Sequence, residues 1–96
     1  MIRSFRSKAV DDLFHDREVP RYRAFERVAR RKLLLLHGAR SIQDLRVPPG
    51  NRLEELKGKR QGQHSIRIND QWRVCFVWRG TDAFDVEIAD DHGEKK

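Results

Sequence analysis

The chain is short of the features that usually betray a specialised class. It holds a single cysteine, Cys75, so no disulfide can close within it, and a reducing cytosol is the natural setting. No apolar run approaches the roughly 20 residues that a membrane-spanning helix needs. Arg3, Arg6, Lys8, Asp11 and Asp12 break up the first fifteen residues, which leaves no signal-peptide core. The expectation is a cytoplasmic protein without a membrane partner. No His or Cys cluster has metal-ligand spacing, no glycine motif cradles a phosphate, and no nucleophile elbow occurs. No metal or cofactor is therefore expected. Internal repeats and low-complexity segments are also missing.

What the chain does have is positive charge. Its 96 residues make one domain, 1–96, with a formal net charge of +6. That balance favours a polyanionic partner by attraction and faster encounter. The charge is uneven: residues 1–46 hold twelve Lys and Arg against six Asp and Glu, whereas residues 47–96 hold nine of each. Fifteen of the 21 cations are Arg, the residue suited to planar, bidentate phosphate recognition.

The apolar pattern divides the chain near Pro48-Pro49-Gly50-Asn51. Before it, Ile2 to Phe5 is a short candidate strand. Ser7 can cap a helix carrying Val10, Leu13 and Phe14. Pro20 suits a helix entrance, and from Arg21 the steps Tyr22, Phe25, Ala29, Leu33, Leu36 predict a long helix, with Gly38 as its stop. Arg30-Arg31-Lys32 reads as an exposed surface of that helix. Ser41 caps one further turn. After the break, Leu53 to Leu56 is a possible short strand, and Lys57 to Gly62 reads as a mobile basic loop. Three alternating strands follow. His64, Ile66 and Ile68 share one face, as do Trp72, Val74, Phe76 and Trp78, and then Phe84, Val86 and Ile88. Short links make an antiparallel meander whose apolar face the long helix can cover, giving an α+β domain.

Cleavage of RNA without a metal needs a base for the 2′-hydroxyl proton, an acid for the leaving 5′-oxygen, and cations for the phosphate. His92 is the natural acid or base, because imidazole titrates near neutrality. Asp90, two positions earlier, would orient it if the strand runs on; otherwise His92 is a plain tail histidine. Arg73 alternates with Trp72 and Val74 and so faces away from the core, with Arg67 on a similar side of the neighbouring strand. Two guanidinium groups there could clamp a phosphate, or belong to a solvated sheet face. Lys57, Lys59 and Arg60 crowd the adjoining loop. Arg30 and Arg31 are either contacts to ribosomal RNA or a solvated helix face. Cys75 reads as a small buried residue, Trp72 and Trp78 as core, and His64 as a satisfied core histidine.

Two segments carry a family resemblance. Met1-Ile-Arg-Ser-Phe5 and the block from Pro48-Pro-Gly-Asn-Arg-Leu-Glu-Glu-Leu-Lys-Gly-Lys-Arg60 through Gly62-Gln-His-Ser-Ile-Arg-Ile-Asn-Asp-Gln-Trp-Arg-Val-Cys-Phe76 resemble HigB-type toxins of the RelE-like superfamily. Within that superfamily they are most similar to the GraT-like members of the plasmid maintenance system killer group. The resemblance spans nearly the whole chain. It implies a microbial-RNase-like fold, with amino-terminal helices on an antiparallel sheet. It implies a type II toxin that cleaves messenger RNA on the ribosome. Inhibition by a HigA-type helix-turn-helix antitoxin is implied too, with operator DNA reached only through that antitoxin. Carried over by position, Lys57 acts as base or phosphate cation, Arg73 holds the scissile phosphate, and Asp90 and His92 form the terminal catalytic pair. The family ending Asp-Tyr-His reads Asp90-Asp91-His92 here, and Glu54 stands where some members carry histidine. Two rival readings follow: a weakened toxin serving mainly as antitoxin partner and co-repressor, and a small basic RNA-binding protein.

Overall fold

A computed structural model describes residues 1–90. Two helices, α1 (Lys8–Phe14) and α2 (Glu26–Gly38), pack on a sheet of β1 (Glu54–Glu55), β2 (His64–Arg67), β3 (Trp72–Arg79) and β4 (Asp82–Asp90). The strands lie in chain order and every neighbouring pair is antiparallel, so the meander and the helix-first α+β order are present.

The helices start where their caps dictate. Ser7 Oγ accepts the Val10 N–H at 3.4 Å and begins α1. Pro20 opens a helical stretch, but residues 20–25 wind as a 3-10 turn, and α2 proper begins only at Glu26. Phe25 interrupts at ψ 19° and stacks its ring on Trp72, centroids 5.3 Å apart. Gly38 is not a left-handed stop. It is the last helical residue, and the extended backbone of buried Ala39 ends the helix. Ser41 starts the predicted short turn, and the Asp44 carboxylate accepts the Arg40 and Ser41 N–H groups. Those backbone bonds hold the Asp44 carboxyl below its ordinary value.

Both helices cover the same sheet face. Val10 and Leu13 of α1 and Ala29, Leu33 and Leu36 of α2 are fully buried with Ile66, Val74, Phe76 and Val86 from the strands. Burial of this apolar set is the main stabilising term. Lys32 departs from its expected place on the helix surface, being only 7% exposed. Positions 29, 32, 33 and 36 form one helical stripe, so the lysine points inward. Its Nζ donates to Asn51 Oδ1 at 2.5 Å, and Asn51 Nδ2 donates to the Leu45 and Val47 carbonyls. Burial pushes the Lys32 ammonium down, with Arg31 and Arg67 adding to the effect.

Two strand expectations change. Asp85 adopts φ 53° and β4 bulges there, for Cys75 pairs with Glu87 while Val77 pairs with Phe84. The alternation therefore switches faces. Ala83, Val86 and Ile88 turn toward the helices, and Phe84 lies on the other side with the Arg79 guanidinium 5.4 Å over its ring. The same bulge divides the amino-terminal strand into two parallel bridges, Ile2 with Ala83 and Phe5 with Val86. The Asp85 N–H between them donates to Ser4 Oγ.

Asn51→Ala should cost about 2–4 kcal/mol in urea unfolding, because it strands a buried ammonium and two carbonyls. Lys32→Met, which removes the charge but keeps the volume, should cost less, about 1–2 kcal/mol. A loss under about 0.5 kcal/mol for Asn51→Ala would show that the contact is incidental.

Candidate active site

The sheet face turned away from the helices is built by alternation. Ser65 and Arg67 of β2 pair with Cys75 and Arg73 of β3, and these pair onward with Glu87 and Ala89 of β4. Glu54 of β1 pairs with Ser65, so its side chain emerges on the same face. Sequence and register thus bring Glu54, Arg67 and Arg73 together.

Arg73 is the centre of this face. Its side chain is only 12% exposed, and its guanidinium donates to Glu54 Oε1 at 3.1 Å and to the Arg52 carbonyl at 3.4 Å. Arg52 presents that carbonyl from a left-handed backbone, φ 46°. Arg67, the register partner of Arg73, is held by the Asn69 carbonyl and by an ion pair with Asp70. Two arginines therefore leave neighbouring strands on one face, Arg67 turned to the hairpin end and Arg73 to β1, each steadied by a carboxylate.

The basic segment beside them is more ordered than a loose loop. Gly58–Arg60 form a 3-10 turn, and Arg60 folds back to donate to Glu87 Oε2 at 2.9 Å and Gln63 Oε1 at 3.1 Å. Arg6 approaches the same Glu87 oxygen at 3.6 Å. Under this cover Ser65 and Cys75 are buried, and Ser65 Oγ has no hydrogen-bond partner among the described residues. Lys57 and Lys59 remain exposed.

The other anticipated site residues are more scattered. Asp90 pairs with Trp72, one position beyond the Arg73–Ala89 pair, so it leaves the sheet on the helix side, where its carboxylate accepts from Gln71 Nε2 at 3.0 Å. Asp91 and His92 lie outside the described residues. Arg30 and Arg31 belong to the helix layer, not to the Arg73 face. Arg30 donates to the Leu13 and Arg17 carbonyls and pairs with Asp16 and Glu26, whereas Arg31 is exposed. His64 stacks on Phe76 as a half-buried core residue, but its Nδ1 is buried without a hydrogen-bond partner among the described residues, so it is not satisfied.

Sequence reasoning noticed Glu54 only as a departure from a family residue, and it overlooked Glu87. The available signal was the register: a two-residue strand ahead of β2 places its first carboxylate beside Arg73.

Helices on one face of an antiparallel meander, with an arginine pair on the other, give the α+β build of a RelE-like toxin. The family described as the RelE-like toxin of the type II toxin-antitoxin system HigB matches residues 3–92, and the chain belongs to that HigB-like family. It is similar to Toxin HigB-1 of Vibrio cholerae serotype O1, 39% identical over 82 residues that cover 81% of this chain and 84% of that protein. It is also similar to an uncharacterized protein of Haemophilus influenzae, 38% identical over 56 residues, covering 58% of this chain and 55% of that one. A toxin of this class is paired with an antitoxin. Among the described residues no helix is long and apolar enough to cross a membrane.

Arg60→Ala tests whether this cation is structural. Removing a half-buried partner of Glu87 should lower unfolding stability by about 1–3 kcal/mol, whereas Lys59→Ala should change it by less than about 0.5 kcal/mol. Equal, negligible effects in a denaturant titration would return Arg60 to the surface cations.

Proposed function

We propose that the chain is an endoribonuclease that cleaves messenger RNA on the ribosome by acid–base chemistry with cationic support. The observation that carries this reading is the Arg67–Arg73 pair on the sheet face away from the helices, taken with membership in a toxin family. A phosphodiester laid there meets two planar cations, which can hold its non-bridging oxygens and stabilise the charge that builds as the phosphorus becomes five-coordinate. Exposed Lys57 and Lys59 extend the positive field toward the RNA strand. His92 supplies the acid that protonates the leaving 5′-oxygen, and Asp90, which leaves the sheet on the helix side, acts only as the strand-end residue that precedes it. The site is small and offers little with which to grip an unstructured RNA, so the ribosome presents the substrate and the basic amino-terminal half, Arg31 included, serves docking. The antitoxin of this pair is a HigA-type helix-turn-helix protein, and operator DNA is reached through it. The cytoplasm is the site of action.

A second reading is favoured by two observations. Both site arginines are already met by carboxylates, and Asp91 stands where the resembled family has tyrosine. In that reading the protein is a weakened toxin acting chiefly with its antitoxin in repression.

Arg73→Ala should leave the protein folded and reduce cleavage of ribosome-bound message by tens to a thousandfold, from about 2–4 kcal/mol of lost transition-state stabilisation. Mapping message ends after expression measures this, and an unchanged rate in a folded variant would remove Arg73 from the site. Purified protein should cut naked RNA poorly and programmed ribosomes well. Ribosome-dependent cleavage should also weaken steeply with salt, as docking by Lys and Arg requires. Growth arrest without any new message ends would favour neither reading and exclude the nuclease.

A further inference from the structure

We infer that the carboxyl-terminal half of α2 and the Ile42–Arg46 turn after it form a docking groove for the antitoxin, and that the segment received is an amphipathic helix with apolar anchors and acidic flanks. This rests on the toxin–antitoxin reading and is independent of the nuclease one. The family supplies a partner; the face and the chemistry of the segment come from the fold.

The outer stripe of α2 runs Arg27, Arg31, Leu34, Leu35, Gly38, at steps of three and four. Solvent alone would favour polar residues along it, yet Leu34 is 61% exposed and Leu35 37%. Val47, directly after the turn, is 70% exposed. Beside this stripe two hollows meet at Gly38 and Ala39. One, of about 300 Å³, runs between Leu34 and Leu35 on the helix and Asp44 and Leu45 on the turn. The other, of about 350 Å³, continues toward Met1, Arg3, Arg40 and Asp82. Gly38 lines both. A Cβ on it would meet nothing within 4 Å, and its backbone is not left-handed. The fold itself therefore has no need of glycine here, and the missing side chain keeps the groove open where its two parts join.

Charge selects the occupant. Arg27, Arg31, Arg40 and Arg46 are exposed and have no ion pair among the described residues. The acids of the groove are already engaged: Asp44 accepts the Arg40 and Ser41 N–H groups, and Asp82 holds Arg3 and the Met1 amino group. An apolar strip inside a basic rim fits leucine-type anchors flanked by Asp or Glu. A second copy of the chain would set one basic rim against another. A phosphate backbone would meet the arginines and leave the leucines in water.

Calorimetric titration of the chain with its purified antitoxin tests this. Gly38→Trp should fill the groove, leave Tm unchanged and weaken binding by about tenfold or more. Arg31→Glu with Arg46→Glu should weaken it by about tenfold or more as well. Lys57→Glu with Lys59→Glu, the same change in net charge beside the opposite sheet face, should leave it within about threefold. A synthetic helix with leucines at i, i+4 and i+7 and glutamates on its flanks should compete with the antitoxin, and a lysine-flanked counterpart should not. Wild-type affinity in Gly38→Trp or in the arginine double variant would overturn the inference. So would a Gly38→Trp chain that loses affinity for ribosomes and keeps it for antitoxin, which would give the face to RNA, or one that breaks up a dimer of the chain alone. If the wild type binds no antitoxin, the partner reading falls and the groove with it. Because the readout is binding, a chain that cuts no RNA but loses antitoxin on Gly38→Trp would sink the nuclease reading alone.

Discussion

The contact between Lys32 and Asn51 joins the two halves of the molecule, and the sheet face away from the helices depends on it. Lys32 belongs to the core stripe of α2, and Asn51 closes the Pro-rich connection that leads to the sheet. Through Nδ2 the asparagine also gathers the Leu45 and Val47 carbonyls. The residue after it, Arg52, takes its left-handed turn and offers its carbonyl to Arg73, and two residues later Glu54 reaches the same guanidinium. A buried ammonium is costly by itself. Here it anchors the start of β1, and so positions the groups on the far side of the sheet.

The sheet face away from the helices is organised by charge pairing more than by net charge. Arg67 has Asp70, Arg73 has Glu54, and Arg60 shares Glu87 with Arg6. Each acid fixes a cation that would otherwise sample many rotamers, and rotamer freedom in arginine is worth about 2 kcal/mol. Such preorganisation is what transition-state stabilisation needs. Positive charge without an ion pair among the described residues lies elsewhere, on Lys57, Lys59, Arg21, Arg27, Arg31, Arg40 and Arg46, where it can act at longer range.

Much of the architecture was readable from the chain. Helical spacing located α2, strict alternation located β2 and β3, and the placement of Arg73 opposite Val74 followed from period two alone. The errors share a cause. Periodicity assumes an uninterrupted element, so the left-handed Asp85 was invisible and Phe84 was assigned to the wrong face. Residue type was trusted over position at Lys32, whose stripe places it inside whatever its charge. Glycine was trusted as a stop at Gly38, where burial of Ala39 decides the end. In the site, single-strand alternation could place Arg67 and Arg73 but not the pairing across strands, which is why Glu54 and Glu87 emerged only once the register was known.

The bridges from Ile2 and Phe5 to β4 carry a consequence for synthesis. The Met1 amino group and the Thr81 carbonyl are bonded across 80 residues, and Arg3 and Arg6 hydrogen-bond to Ala83 and Val86. Residues 1–6 must therefore wait for residues 81–86 before either segment can settle. Contacts this distant in sequence form late and slowly, and a nascent chain on a ribosome presents no finished sheet until β4 has cleared the exit tunnel. The topology therefore makes the face away from the helices an all-or-none feature: neither bridge, nor the bulged strand they flank, can settle until residues 81–86 are available to the amino-terminal segment.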